Sequence, residues 1–184
     1  QNNNKDLIKY FSPKAPDSWK IKPNTWLNSV DLANVMNQYE TAYPNFNFIG
    51  PSPIDFDKKL LYDNCVWEEL CKFSVNEHIK KNINKIGIIF NTDPHYKDGS
   101  HWIALFIDIK NQFIFYFDSN GNKIPKQIKK LVEKIQKQAK ILKINLKYSD
   151  NSNLVHQKKD GQCGIYVLYF IIELLLEKKT PEYF

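Results

Sequence analysis

Gln157-Lys-Lys-Asp-Gly-Gln-Cys163-Gly164 runs directly into Ile165–Leu176, an almost wholly apolar stretch. A run of about 12 residues is too short to cross a membrane and long enough for a core helix. The sequence therefore predicts a helix buried on all sides, with Cys163 at its N-terminal mouth and Gly161 and Gly164 beside it. That helix needs a sheet to lie against. Lys85–Asn91 reads as a short buried strand. Trp102–Ile109 and Phe113–Asp118 are β-rich runs separated by Lys110-Asn111-Gln112, a hairpin signal.

Around this centre the remaining elements follow from pattern. Asn28 is placed to cap a helix over Ser29–Tyr39, with Asp31 in its first turn. Pro44–Pro53 reads as a loop, Asp55–Asn64 as a second helical stretch and Ser74–Asn84 as a third. Ile124–Leu142 puts Ile124, Ile128, Leu131, Ile135 and Ala139 on one helical face. Ile144–Tyr148 alternates as an edge strand, and Ser149–Gln162 is a loop. Residues 1–20, polar with Pro13 and Pro16, read as an extended arm, and residues 21–184 as a single domain. The fold class is α+β: helices, a central mostly antiparallel sheet, then the buried helix.

The 184 residues are 42 % hydrophobic and 14 % aromatic, as an ordered globular chain requires. The net charge is +6, and all 26 basic residues are lysine. Carboxylate or phosphate recognition must then proceed without a bidentate guanidinium. The lysines are densest over 123–143, which reads first as a solvated helix face and second as a patch for weak nucleic-acid binding. Three cysteines, Cys65, Cys71 and Cys163, make no disulfide framework; free thiols imply an intracellular reducing compartment, cytoplasm or nucleus. No membrane partner, cofactor or metal is expected, and a monomer is. A zinc site from Cys65, Cys71 and His78 lacks a fourth ligand. The chain begins at Gln1 rather than Met, so upstream domains stay open.

Four side chains carry chemistry. If the hairpin turn centres between Ile109 and Lys110, His101 lies directly opposite Asp118. If it centres one residue later, the two are diagonal neighbours on the same face. The aspartate then fixes the imidazole tautomer and stabilises its charged form. A helix N-terminus and an adjacent imidazolium both lower a thiol pKa, which makes Cys163 a nucleophile. The Cys163 N–H and the Gln157 amide are placed to hold an oxyanion, and the glycines leave room for a substrate backbone. A thiol, an imidazole, a carboxylate and an amide are the parts of a cysteine protease. Rivals are weighed on the same ground. Asp118 also suits capping of the Asn120-Gly121 turn; Asn120 or Asp108 are alternative orienting groups, Asp108 at the far end of the hairpin. His95 lies in a loop and does not open a strand. His156 adjoins Gln157 and so approaches the cleft.

These residues resemble the ubiquitin-like-protein protease family, which includes the deSUMOylating enzymes and the adenovirus-type proteases. His101-Trp102, Asp118 within Tyr116-Phe117-Asp118-Ser119 seventeen residues on, Gln157, and Cys163-Gly164 six residues after that glutamine match the family's order and spacing. Trp26-Leu27-Asn28 is similar to the family's Trp-Leu-Asn helix start. The resemblance spans roughly residues 24–177 and implies a papain-like, adenovirus-protease-type domain with catalytic His101, Asp118, Gln157 and Cys163. It also implies that Trp26 and Trp102 roof a narrow channel for a Gly-Gly tail, beside Gly164, which by its lack of a side chain is read as a substrate-binding residue. The substrate class implied is a ubiquitin-like protein or a Gly-Gly-containing polyprotein. Phe46-Asn-Phe-Ile-Gly-Pro-Ser-Pro-Ile-Asp-Phe56 resembles a segment of the proteases of large DNA viruses, which would place the chain in a virion or viral factory. Cellular deSUMOylases usually carry an acidic residue where Ser29 stands and an upstream arginine this chain lacks; both departures count against SUMO itself and leave the chemistry untouched. Acyl transfer by the same triad, and a non-catalytic module binding a ubiquitin-like protein or nucleic acid, are the competing functions.

Overall fold

The computed structural model describes residues 11, 13–15, 17–21 and 25–184. In chain order, α1 (Asp17–Ile21) and α2 (Ser29–Ala42) precede β1 (Phe46–Pro53). Two short helices, α3 (Glu68–Cys71) and α4 (Val75–Lys80), lead to β2 (Lys85–Asn91), β3 (Trp102–Asp108) and β4 (Phe113–Phe117). The long helix α5 (Lys126–Ile141), the edge strand β5 (Lys147–Asp150) and α6 (Cys163–Leu175) complete the fold. The strands lie in the order β1-β2-β3-β4-β5. The three central strands are antiparallel, as expected, and both outer strands pair parallel to their neighbours, so the sheet is mixed. The α+β class holds.

Alternation sorts the sheet into two faces. Ile103, Leu105 and Ile107 of β3 pack with Ile114 and Tyr116 of β4 against α5, whose Ile128, Leu131, Ile135 and Ala139 are buried. Ala104, Phe106, Phe115 and Phe117 face the other way, toward Val167, Phe170 and Ile171 of α6. Gly87 allows this close approach: a Cβ there would stand 2.8 Å from Ile171 Cγ2 and 3.1 Å from the Phe46 ring. The helix is nonetheless not enclosed on every side. Ile165 and Tyr169 are 45 % and 37 % exposed on its outer stripe.

Several expectations are corrected. The Pro44–Pro53 loop is instead β1, whose Phe46 and Phe48 alternate into the α6 face. Its prolines are tolerated because β1 is an edge strand. No helix covers 55–64. Ile54 and Phe56 are buried at strand-like spacing, whereas Leu60, Leu61 and Tyr62 point to solvent around a single 3₁₀ turn, Leu61–Asp63. Apolar residues there cover no core, so the helical pattern had nothing to pack against. The third stretch shortens to α4, capped by the Ser74 hydroxyl. The edge strand shifts to β5, and Ile144 packs as a loop residue under α5. Cys65 and Cys71 are joined as a disulfide, against the expectation of three free thiols, because a Lys59–Cys65 bridge and α3 bring their Cα atoms to 6.3 Å. Cys163 remains free. The extended arm falls largely outside the described residues, Pro16 among them. Where described, it holds α1, and Phe11 packs edge-on against Tyr39 at 5.0 Å.

Candidate active site

The register of the β3–β4 hairpin decides the first contact. Ala104 lies opposite Phe117, which is the later of the two turn positions considered. His101 and Asp118 therefore sit just beyond the last paired residues, diagonal to each other at one end of the hairpin. Their side chains meet there: His101 Nε2 is 2.7 Å from Asp118 Oδ1. The carboxylate is 2 % exposed and fully occupied. Its Oδ1 also accepts the Asn120 backbone N–H at 2.8 Å, and its Oδ2 accepts from Asn122 Nδ2 at 3.0 Å. Asn151 clamps the Asp118 backbone from both sides, accepting its N–H and donating to its carbonyl.

The rival groups are engaged elsewhere or by other atoms. Asn120 contributes its backbone, not its amide, to holding Asp118. Asp108 caps Asn111 at the opposite end of the hairpin. His95 pairs with Asp55, Nδ1 to Oδ2 at 2.7 Å. His156 turns away from the cleft and bonds the Phe184 carbonyl at 2.8 Å. His78 bonds the Ser74 carbonyl and Asn47. With Cys65 and Cys71 bonded to each other, no zinc site forms from those three residues.

With Nε2 engaged by Asp118, the other ring nitrogen is left for the thiol, and the imidazole lies near enough to Cys163 for each group to shift the other's pKa. Cys163 opens α6, 5 % exposed. Gln162 caps that helix without a side-chain bond, so no capping group competes for its first N–H groups. Burial opposes charging the thiol, but the His101 hydrogen bond and the backbone N–H groups of Trp102 and Gly164 outweigh it, and the Cys163 pKa is lowered. Burial likewise opposes charging His101, yet Asp118 and Cys163 push its pKa up to about 9. Asp118 resists its own burial in the same way and is lowered by His101 and its other donors. All three shifts favour one protonation state: carboxylate, imidazolium, thiolate.

A cleft of about 250 Å³ opens over the sulfur, lined by Trp26, Trp102, Asn28, Gly99, Gly161 and Cys163 among others. The Trp102 indole N–H donates to the Leu27 carbonyl at 2.9 Å, which ties one wall to the segment carrying the other. Gly161, at φ +81°, lies against the Trp26 indole so closely that a Cβ would collide with it. Gly164 packs closely on the same segment: its missing Cβ makes way for Leu27, whose own Cβ would be 2.9 Å away. Gln157 is held by the turn after Asp118, its Oε1 accepting from Ser119 Oγ at 2.8 Å.

Reading the residues in order missed the supports: Ser119, Asn122 and Asn151 about the carboxylate and the amide, and Asn91 and Gly99 in the wall. Ser119 and Asn122 did carry a signal, standing one and four residues after Asp118. Asn151 and Asn91 carried none, because their roles come from β5 and β2 being carried to the hairpin. Among the described residues no helix is long and apolar enough to cross a membrane.

A mimivirus protein (Acanthamoeba polyphaga mimivirus) named for a thiol protease is 37 % identical over 157 residues, 84 % of this chain and 49 % of that protein. A cysteine protease of African swine fever virus is 26 % identical over 172 residues, 92 % of this chain and 58 % of its own length. The chain thus spans about half the length of these curated relatives. A crystal structure of the African swine fever virus protease superimposes with a TM-score of 0.70 at 23 % identity, over 87 % of this chain and 61 % of that one. The SUMO protease Ulp1, with its catalytic cysteine oxidised to a sulfinic acid, gives 0.56 at 18 % identity, over 96 % and 84 %. Residues 19–183 match the family model described as Ulp1 protease family, C-terminal catalytic domain, and the chain belongs to that family of cysteine proteases.

Proposed function

We propose that the chain is a thiol protease domain that cleaves peptide or isopeptide bonds after a Gly-Gly-type tail. The observation that carries this reading is His101, held by Asp118 at 2.7 Å, beside Cys163 at the start of α6 under a cleft lined by two tryptophans. The Cys163 thiolate attacks the scissile carbonyl carbon, and the C=O π pair moves onto oxygen. The Cys163 N–H and the Gln157 amide hold that oxyanion, each such donor contributing about 3–4 kcal/mol to the barrier reduction. The oxyanion collapses, the C–N bond breaks and His101 protonates the departing amine. Water, deprotonated by His101, then hydrolyses the thioester and restores the thiol. Asp118 keeps the imidazole turned toward sulfur throughout.

The substrate would be a ubiquitin-like protein or a viral polyprotein. Relatives support both directions, since several are viral proteases and one solved structure is Ulp1 bound to the yeast SUMO orthologue Smt3. A slot pinched between two indoles admits a backbone without Cβ atoms and rejects others by collision. The test is a panel of ubiquitin-like proteins with C-terminal warheads, together with short Gly-Gly-X peptides. Adducts on Cys163 and cleavage after the second glycine are expected. Cys163→Ala should abolish both while leaving the thermal transition in place, and turnover by that variant would refute the reading.

A further inference from the structure

We propose that Ser119 is a positioning residue for the Gln157 amide, so that one turn, Asp118-Ser119, orients both the base and the oxyanion donor. The inference rests on the protease reading above and assigns a role that reading leaves open. Ser119 is wholly buried immediately after the aspartate. Its carbonyl accepts the backbone N–H groups of His156 and Gln157 at 2.9 and 2.8 Å. Its hydroxyl donates to Gln157 Oε1 at 2.8 Å.

The hydroxyl bond has a consequence the backbone bonds lack. A glutamine amide is nearly symmetric in shape and opposite in chemistry at its two ends: NH2 donates and the carbonyl oxygen accepts. Turned the wrong way, it would present lone pairs to a developing oxyanion and repel it. In the arrangement seen, Oε1 takes the Ser119 O–H and the NH2 is the end left for substrate. The orientation is set before the substrate arrives, which is the condition under which a donor stabilises a transition state without reorganising. Ser119 is itself located by its neighbour, because Asn151 grips the Asp118 backbone from both sides. The imidazole and the amide are thus referenced to the same two residues.

The experiment is a double-mutant cycle with Ser119→Ala, Gln157→Ala and the pair. It uses a peptide ending Gly-Gly joined to an aminocoumarin, with iodoacetamide alkylation of Cys163 measured alongside. Gln157→Ala should lower kcat about 100-fold and Ser119→Ala about 10-fold, a fraction of the full donor, with KM little changed. In the Gln157→Ala background, Ser119→Ala should have no further effect. Alkylation builds no oxyanion, so its rate and pH profile should match wild type in Ser119→Ala. Ser119→Cys, of similar size with a weaker donor, should fall between. The proposal is overturned by an unchanged kcat in Ser119→Ala, by an equal loss in the Gln157→Ala background, by a shifted alkylation profile, or by loss of the thermal transition, any of which would make the hydroxyl idle or purely structural. A wild-type chain that alkylates normally and cleaves no Gly-Gly probe would overturn the protease reading, and the coupling with it; an active wild type with an indifferent Ser119 would overturn the coupling alone.

Discussion

Protonation of one ring governs this site. In the folded chain His101 holds its proton up to about pH 9, whereas an unfolded histidine releases it near 6.5. The sign follows directly. A raised folded pKa contributes stability that is complete below about pH 6.5 and is lost as pH rises through about 9. Asp118, lowered by the same contact, contributes above the ordinary carboxylate range and loses that contribution on acidification. The melting temperature of wild type should therefore drop more between pH 7 and 10 than that of His101→Gln, as scanning calorimetry would register. Activity should decline on the alkaline side with a midpoint near 9, since the leaving amine then lacks its proton donor. A pH–rate profile whose alkaline limb lies well below that value would contradict the ion-pair assignment.

Helix and loop termini place these groups, and two substitutions test the placement. Asn28 caps α2 reciprocally: its Oδ1 accepts the Asp31 N–H at 2.9 Å, and its own N–H donates to Asp31 Oδ2 at 3.0 Å. The cap fixes where Trp26 and Leu27 leave the helix, and so the cleft wall. Asn28→Ala should cost about 1 kcal/mol in chemical denaturation and raise KM more than it lowers kcat. Gly161→Ala is the sharper case. Its positive φ disfavours a side chain, and the new Cβ would strike the Trp26 indole. The expected outcome is a displaced tryptophan, visible as a shifted emission spectrum, with kcat/KM down about 10-fold or more for a lost positioning contact. Cys163 alkylation should persist, because the thiol's partners are on other elements. The helix caps and the hairpin were legible from residue type because they are local. Asp31 three residues after Asn28 suffices for a capping box, and β-rich runs about a short turn suffice for antiparallel pairing. Strand β1 was not legible, because its pairing partner, β2, lies some forty residues downstream and its prolines mimic a loop.

Across the whole molecule, α6 and the hairpin are held as one body by aromatic packing. The Phe170 ring stacks on Phe117 at 4.7 Å and meets Phe106, Phe115 and Phe184 at their edges or at an angle. Phe117 precedes Asp118, and Phe170 lies two turns below Cys163, so this cluster sets the distance between Asp118 and Cys163. Phe170→Ala should destabilise by about 3–5 kcal/mol, lowering the thermal midpoint by roughly 10 °C. Cys163 alkylation should slow at temperatures where the fold survives. The order His101, Asp118, Gln157, Cys163 and the helix behind the thiol could be read from the chain, because residue chemistry and short-range periodicity are local properties of the polymer. The exposed stripe of α6, the joining of Cys65 to Cys71, the use of Gly164 to seat Leu27 and the Ser119 bond to Gln157 could not. Each depends on which distant segment arrives at a given atom, and only packing of the two sheet faces specifies that.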